Sequence, residues 1–200
     1  MGPMVRRNLL ILFLCFSTLA VADYQVWETQ TLGLPLCKNV TFQWESQTRF
    51  QHQLIHVYSQ ENLVWRLSPA WETAFNYRNS WTRTATGWHT RHHPMFDFTR
   101  IFTNDWLRFS FRNRFFINLD RKDFTWRGRA LFEILLGRGF YLVTGDELFL
   151  RKMSQFFENR VLAALEYRFV GGTSASVGYI LRVRKHDNTN ILAFRLAYTF

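Results

Sequence analysis

The 200-residue chain allows one domain or two small ones, and its 25 Lys and Arg against 15 Asp and Glu give a formal charge of +10. Only 10 Gly and 4 Pro exclude long flexible linkers, and only 2 Cys exclude a disulfide scaffold. Aromatic residues make up 18% of the chain, with 21 Phe and 8 Trp, more than a basic solvated domain needs. Only Lys38, Lys122, Lys152 and Lys185 are lysines, so the positive charge is nearly all Arg, whose planar fork suits confined ion pairs. Basic, aromatic chains also bind nucleic acid, so the spacing of the arginines has to decide between the two.

At the N-terminus, Arg6 and Arg7 precede an apolar run from Leu9 to Phe16, and Ser17 to Ala22 ends in Ala20-Val21-Ala22. A positive region, a short apolar core and an A-x-A site predict a signal peptide over 1–22, exported by the general secretory route. Cleavage after Ala22 would leave Asp23 as the first mature residue. The apolar run is too short to span a bilayer. The rest of a twin-arginine motif is missing, and no lipobox surrounds Cys15. Cys37 is then the only remaining thiol, so neither an internal disulfide nor a cysteine zinc site is expected.

The mature chain reads as strands. No later segment holds the ~18 apolar residues of a membrane helix, and period-two alternation recurs instead. In 40–50, Val40, Phe42, Trp44 and Phe50 oppose Thr41, Gln43, Glu45, Gln47 and Arg49. In 106–117, Leu107, Phe109, Phe111, Phe115 and Ile117 oppose Arg108, Ser110, Arg112 and Arg114. In 124–135, Phe124, Trp126, Phe132 and Ile134 oppose Arg127, Arg129 and Glu133. In 160–170, Val161, Leu165, Tyr167 and Phe169 oppose Arg160, Glu166 and Arg168, and in 174–184, Val177, Tyr179 and Leu181 oppose Arg182 and Arg184. Stripes of this length match strands that cross an outer membrane in ~9–11 residues, apolar side out and polar side in. An Arg facing the lipid midplane would cost roughly 2–4 kcal/mol, so the Arg stripes are expected to face the lumen.

The expected fold is all-β: an up-and-down antiparallel transmembrane barrel of about 10 strands, with 12 possible, over 23–200. Candidate strands fall at 24–32, 38–50, 54–67, 70–82, 95–103, 106–118, 123–136, 139–150, 157–170, 174–185 and 191–200. Because such barrels are normally even-numbered, 24–32 is surplus, and 23–37 is expected to be an N-terminal arm or an irregular strand. Tight turns at 68–69, 104–105, 137–139 and 171–172 are expected on the periplasmic side. Segments 51–53, 83–93, 118–122, 151–158 and 186–190 are expected as outer loops. Phe194, Leu196, Tyr198 and Phe200 share one face of the last strand, an ending that resembles the signal read by the barrel-assembly machinery.

Several motifs carry a family resemblance. They are Asp23-Tyr24-Gln25-Val26-Trp27, Phe111-Arg112-Asn113-Arg114-Phe115, Trp126-Arg127-Gly128-Arg129, Asp146-Glu147-Leu148-Phe149, Glu158-Asn159-Arg160-Val161 and Gly178-Tyr179. In order and spacing the chain resembles an uncharacterised group of Gram-negative outer-membrane barrels, catalogued as a domain of unknown function. The resemblance implies a fold and an outer-membrane location and supplies no activity.

The candidate functional set is lumenal: Arg108, Arg112, Arg114, Arg127, Arg129, Glu133, Glu147, Arg160, Glu166, Arg168, Arg182, Arg184 and Arg195, with Glu45 and Glu72. Asp146 is an alternative to Glu147, because the alternation there is ambiguous. Such a set either fills a narrow barrel as an ion-pair network or lines a porin-like pore that favours anions. A lipid-modifying outer-membrane enzyme is an alternative. It would draw on His89, His92 and His93 with Ser80 and Asp97, whose spacing fits no catalytic motif. A soluble basic periplasmic binding protein is a further one. No catalytic residue, metal site or cofactor is expected. Most tryptophans are expected in an interfacial girdle rather than as stacking platforms for nucleic acid, and no nucleic-acid partner is expected. The expected partners are outer-membrane lipids, lipopolysaccharide near Arg83, Arg91, His92 and Lys122, and the assembly machinery.

Overall fold

The computed structural model describes residues 24–119, 123–185 and 187–200; the predicted leader over 1–22 lies outside them. The regular elements are strands: β1 (Tyr24–Cys37), β2 (Val40–Gln51), β3 (Gln53–Ser68), β4 (Trp71–Thr84), β5 (Gly87–Thr103) and β6 (Leu107–Asn118). They continue as β7 (Asp123–Gly137), β8 (Phe140–Arg151), β9 (Gln155–Arg168), β10 (Thr173–Arg184) and β11 (Asn188–Thr199). Among the described residues no helix is long and apolar enough to cross a membrane.

Each strand pairs antiparallel with the next, and β1 closes the barrel against β11. That last seam is parallel, from Tyr24 opposite Asn190 to Gly33 opposite Thr199. Parallel closure follows from the count. An antiparallel meander of eleven strands leaves the first and the last pointing the same way. The expected all-antiparallel barrel therefore fails at this one seam. The segment that counted as surplus is a full strand of the wall, paired with β2 on its other side from Val26 opposite Phe50 to Cys37 opposite Val40. Parallel pairing is slightly weaker per residue than antiparallel, but closure removes both exposed edges of the sheet. It also leaves the start of β1 and the end of β11 at opposite mouths.

The first mouth carries the start of β1 and the turns at His52, 85–86 and 152–154. The second carries the turns at 38–39, 69–70, 104–106, 138–139 and 169–172 and the end of β11. The tight and the polar connections predicted from sequence thus fall at opposite ends. Several of the polar connections are nevertheless shorter than expected. Segment 83–93 is almost entirely strand, with Thr84 paired to Gly87 across a two-residue turn that Gly87 closes at φ 121°. Its residues are polar on both faces, so no apolar stripe marked it as a strand. Segment 151–158 shrinks in the same way because β9 begins at Gln155.

Alternation sets the two walls. On the outer wall Phe75, Phe96, Phe102, Ile117, Val161 and Leu165 are each 44–56% exposed, whereas Asp97, Arg114, Glu147 and Glu158 on the inner wall are 1–5% exposed. The usual arrangement of a water-soluble protein is inverted. Trp65, Trp71 and Trp106 lie toward the second mouth, and Trp81 and Trp88 toward the first. Trp27 departs from this pattern: it faces inward and is 3% exposed.

The parallel seam can be checked by cross-linking. Gln30 and Leu196 are register partners across it. With Cys37→Ser as background, Gln30→Cys with Leu196→Cys should oxidise to a single-chain loop of altered gel mobility, and Gln30→Cys with Ile117→Cys should not. Failure of the first pair to cross-link would contradict the closure.

Candidate functional site

The inner wall has two characters. Across β9, β10 and β11, register places Ala164, Gly178 and Ala193 side by side. A Cβ at Gly178 would meet the Ala164 Cβ at 2.5 Å, so this part of the wall admits only small side chains. Opposite it, β2 to β7 send long polar side chains inward. The clearance between the two leaves a lumenal cavity of about 390 Å³. Nine arginines line it against three glutamates, Glu45, Glu147 and Glu166, so its walls are net positive.

Aromatic rings and guanidiniums alternate around this cavity. The Arg49 guanidinium carbon lies 4.0 Å from the Trp27 ring centroid and 5.9 Å from that of Tyr58. Arg78 continues the series, 4.0 Å from Tyr58 and 5.8 Å from Phe116, and Arg114 approaches Phe116 from its own strand at 5.8 Å. Arg114 is the register partner of Arg127, which lies 5.0 Å from Phe149. Arg160 sits 4.5 Å from Phe149 and 5.0 Å from Trp27, which returns the series to its start. The result is a series that runs around the lumen, interrupted where Arg114 and Arg127 stand side by side. Each face-on contact in a desolvated setting is worth about 1–2 kcal/mol. The rings immobilise guanidiniums without neutralising them.

Ion pairs supply the rest of the order. Arg114 grips Asp97 through Nε at 2.6 Å and Nη2 at 2.5 Å. Arg127 donates to Glu147, and Arg160 stands 3.7 Å from the same carboxylate. Arg160 also binds Glu158, whose second oxygen accepts from Arg184 Nε at 2.6 Å. A separate chain runs nearer the second mouth: Arg108 donates to Glu133 at 2.8 Å, Arg168 donates to Glu133 as well, and Arg168 Nε donates to Glu166 at 2.5 Å. Arg182 donates to Thr189 Oγ1 at 2.8 Å. Arg195 lines the cavity and is exposed within it. Glu45 accepts from the Tyr58 hydroxyl at 2.6 Å, and Glu72 pairs with Arg66 at 3.2 Å. Asp146 is exposed on the opposite face from Glu147, which settles which of the two joins the network.

The alternation in β11 places Phe194, Leu196 and Tyr198 on the outward face, with the Tyr198 and Phe200 rings edge to face at 4.5 Å. The loop residues fare differently. Arg91 lines the lumen, and strand alternation sends His92 to the wall opposite His89 and His93. His92 is bonded to Asn79 Oδ1 at 2.6 Å. Both oxygens of Asp97 are engaged by Arg114, and the Ser80 hydroxyl donates to the Arg91 carbonyl oxygen at 3.5 Å. Lys122 lies outside the described residues.

Sequence reasoning missed Arg78, Asp97 and Glu158 as lumenal groups, although Phe96 and Phe98 flanking Asp97 already gave the alternation, and it placed Arg49 on the polar stripe of β2 without counting it in the candidate set. It also missed Trp27, Tyr58, Phe116 and Phe149, because an apolar ring on an inner wall contradicts the rule used to find the wall.

Glu147 compensates several cations at once and is 4% exposed. Glu147→Gln should therefore cost roughly 3 kcal/mol of stability, because breaking a buried pair leaves charge uncompensated. Glu166→Gln, whose partner Arg168 is partly exposed, should cost distinctly less. Urea unfolding of the detergent-solubilised chain measures both. A Glu147→Gln midpoint equal to wild type would contradict the network.

Comparison with known proteins agrees with this architecture. No curated protein matches the chain significantly. Among solved structures, a NanC porin in a rhombohedral crystal form is similar, with a TM-score of 0.53 at 13% identity over 80% of this chain and 87% of that one. At that identity the likeness is one of fold, a closed β-barrel. A family model described as Protein of unknown function (DUF2490) matches residues 24–192, nearly all of the barrel. The chain therefore belongs to the family described as Protein of unknown function (DUF2490).

Proposed function

We propose that the protein is a non-catalytic barrel of the Gram-negative outer membrane whose arginine-lined lumen admits small anions. The observation that carries this reading is the sidedness of the sheet. Large apolar side chains cover the outside of a closed wall, and charged groups are shut within it. Exposed apolar area on this scale needs an apolar surround. Strands of 12–17 residues are long enough to provide one crossing each at a tilt. Tryptophans toward both mouths fit headgroup-level girdles, and the predicted leader fits export.

The excess of nine lining arginines over three glutamates favours anions, as rings of cationic side chains do in pores. The neighbouring fold being that of a porin fits passage of solute. Much of the lumen is filled by side chains that meet across it, so the passage is narrow. Lipids surround the wall in this reading, lipopolysaccharide borders the first mouth, and the outward face of β11 serves the assembly machinery.

Planar-bilayer recording tests the function. Under a KCl gradient the reconstituted chain should give small, steady currents whose reversal potential reports anion preference. Cation preference would contradict the reading, as would the absence of any current. Orientation has its own test, because native Cys37 is exposed at the second mouth and Thr86 lies in a turn at the first. In whole cells an impermeant maleimide should label Thr86→Cys in a Cys37→Ser background and spare Cys37 in the wild type. The reverse pattern would overturn the orientation.

A further inference from the structure

Two of the lumenal arginines face each other across one strand pair with little compensation. Arg112 on β6 and Arg129 on β7 are direct register partners, and both line the cavity. Like charges directly opposite each other on one face of a sheet repel. The next inward pair, Arg114 opposite Arg127, meets the same difficulty and resolves it, since Arg114 is held by Asp97 and Arg127 by Glu147. Arg112 and Arg129 receive only what is left of those carboxylates, at 3.7 Å from Asp97 and 3.8 Å from Glu147. Both separations exceed hydrogen-bond length.

Among the described residues neither guanidinium donates a hydrogen bond to the protein, whereas Arg114 and Arg127 each do. The buried Nε of Arg112 and that of Arg129 have no acceptor, as is also the case for Arg127 and Arg182. Each side chain is mostly withdrawn from solvent, at 16% exposure for Arg112 and 26% for Arg129. Two guanidinium forks thus stand side by side, unsatisfied, facing one cavity. Buried donors are ordinarily paired, and a guanidinium is matched by an acceptor with two oxygens.

We infer that Arg112 and Arg129 form a clamp for one oxyanion, a carboxylate or phosphate group of a small solute, bridged between the two guanidiniums inside the lumen. This rests on the reading of the lumen as anion-admitting and gives that lumen a defined binding position. One bridging oxyanion would supply acceptors to both forks and cancel the repulsion across the β6–β7 ladder. The Asp97 and Glu147 carboxylates on either side are already engaged by Arg114 and Arg127, so they fix the flanks of the clamp without filling it. The cavity of about 390 Å³ limits the solute to a small molecule.

The test compares the wild-type barrel in detergent with Arg112→Gln, Arg129→Gln and the double variant. Arg168→Gln, from the separate network, serves as a control. The temperature at which the folded gel band is lost is followed against sodium phosphate, sodium acetate and sodium chloride at matched ionic strength. Phosphate or acetate should stabilise the wild type and Arg168→Gln well beyond chloride. Their apparent affinity should fall about tenfold or more in either single variant and vanish in the double. In chloride alone, removing one of the two opposed charges should leave the barrel as stable as wild type or more so, which a purely structural role for either arginine would not allow.

Equal stabilisation by all three salts would overturn the clamp, as would undiminished phosphate and acetate binding by the double variant. Bilayer selectivity separates this inference from the one beneath it. Anion preference without a clamp defect sinks the clamp alone. Clamp-dependent binding without anion-selective current sinks the pore and leaves the site.

Discussion

The guanidiniums of Arg114 and Arg127 can remain charged inside a closed sheet only because Asp97 and Glu147 meet them there at ion-pair distance. That condition organises the molecule. A strand that alternates Arg with Phe has two incompatible faces. Curling the sheet until it closes lets the polar faces meet one another in the lumen while the apolar faces gather on the outer wall. Acids on β5, β7, β8 and β9 are then placed where the arginines of β6 to β10 arrive. The parallel β1–β11 seam matters to the same end, because an open edge would let water and a second chain reach the unpaired backbone and undo the separation of the walls.

Aromatic rings solve a problem that the acids do not reach. Arg49 donates Nε to Gln47 at 2.6 Å and Arg78 donates to Gln60 at 2.8 Å, so their hydrogen-bond partners are neutral amides. Trp27, Tyr58 and Phe116 cover their faces. Stacking fixes a guanidinium in place while leaving its charge in the lumen. Acids fix others and cancel them. The balance between the two devices gives a lumen that is ordered yet net positive, and small residues at Ala164, Gly178 and Ala193 keep it from filling completely.

Much of this was legible in the sequence, and the exceptions have physical reasons. Faces could be read wherever one of them was apolar, as in β6, β7, β9 and β10, and Arg127, Arg129 and Glu133 were placed from that alone. Alternation has no contrast where both faces are polar, which hid the first half of β5. The count failed to fix the role of β1 because parallel closure joins residues 166 positions apart on the chain, as in Thr29 opposite Arg195, and no local pattern records such a pairing. Pattern reading also assumes that rings seek the apolar side, so it could not find the inward Trp27, Tyr58 and Phe149. Their neighbours in space are arginines from other strands.

A probe walk along β6 examines the two walls most directly. Single cysteines at Phe109, Ser110, Phe111, Arg112, Phe115 and Phe116, each carrying a small environment-sensitive fluorophore, would be read in bilayers made with brominated lipid and again with aqueous iodide. Probes at Phe109, Phe111 and Phe115 should be quenched by the lipid and spared by iodide, with the opposite response at Ser110, Arg112 and Phe116. Quenching that does not alternate along the strand, or lipid quenching at the arginine-bearing positions, would contradict a charged interior enclosed by an apolar wall.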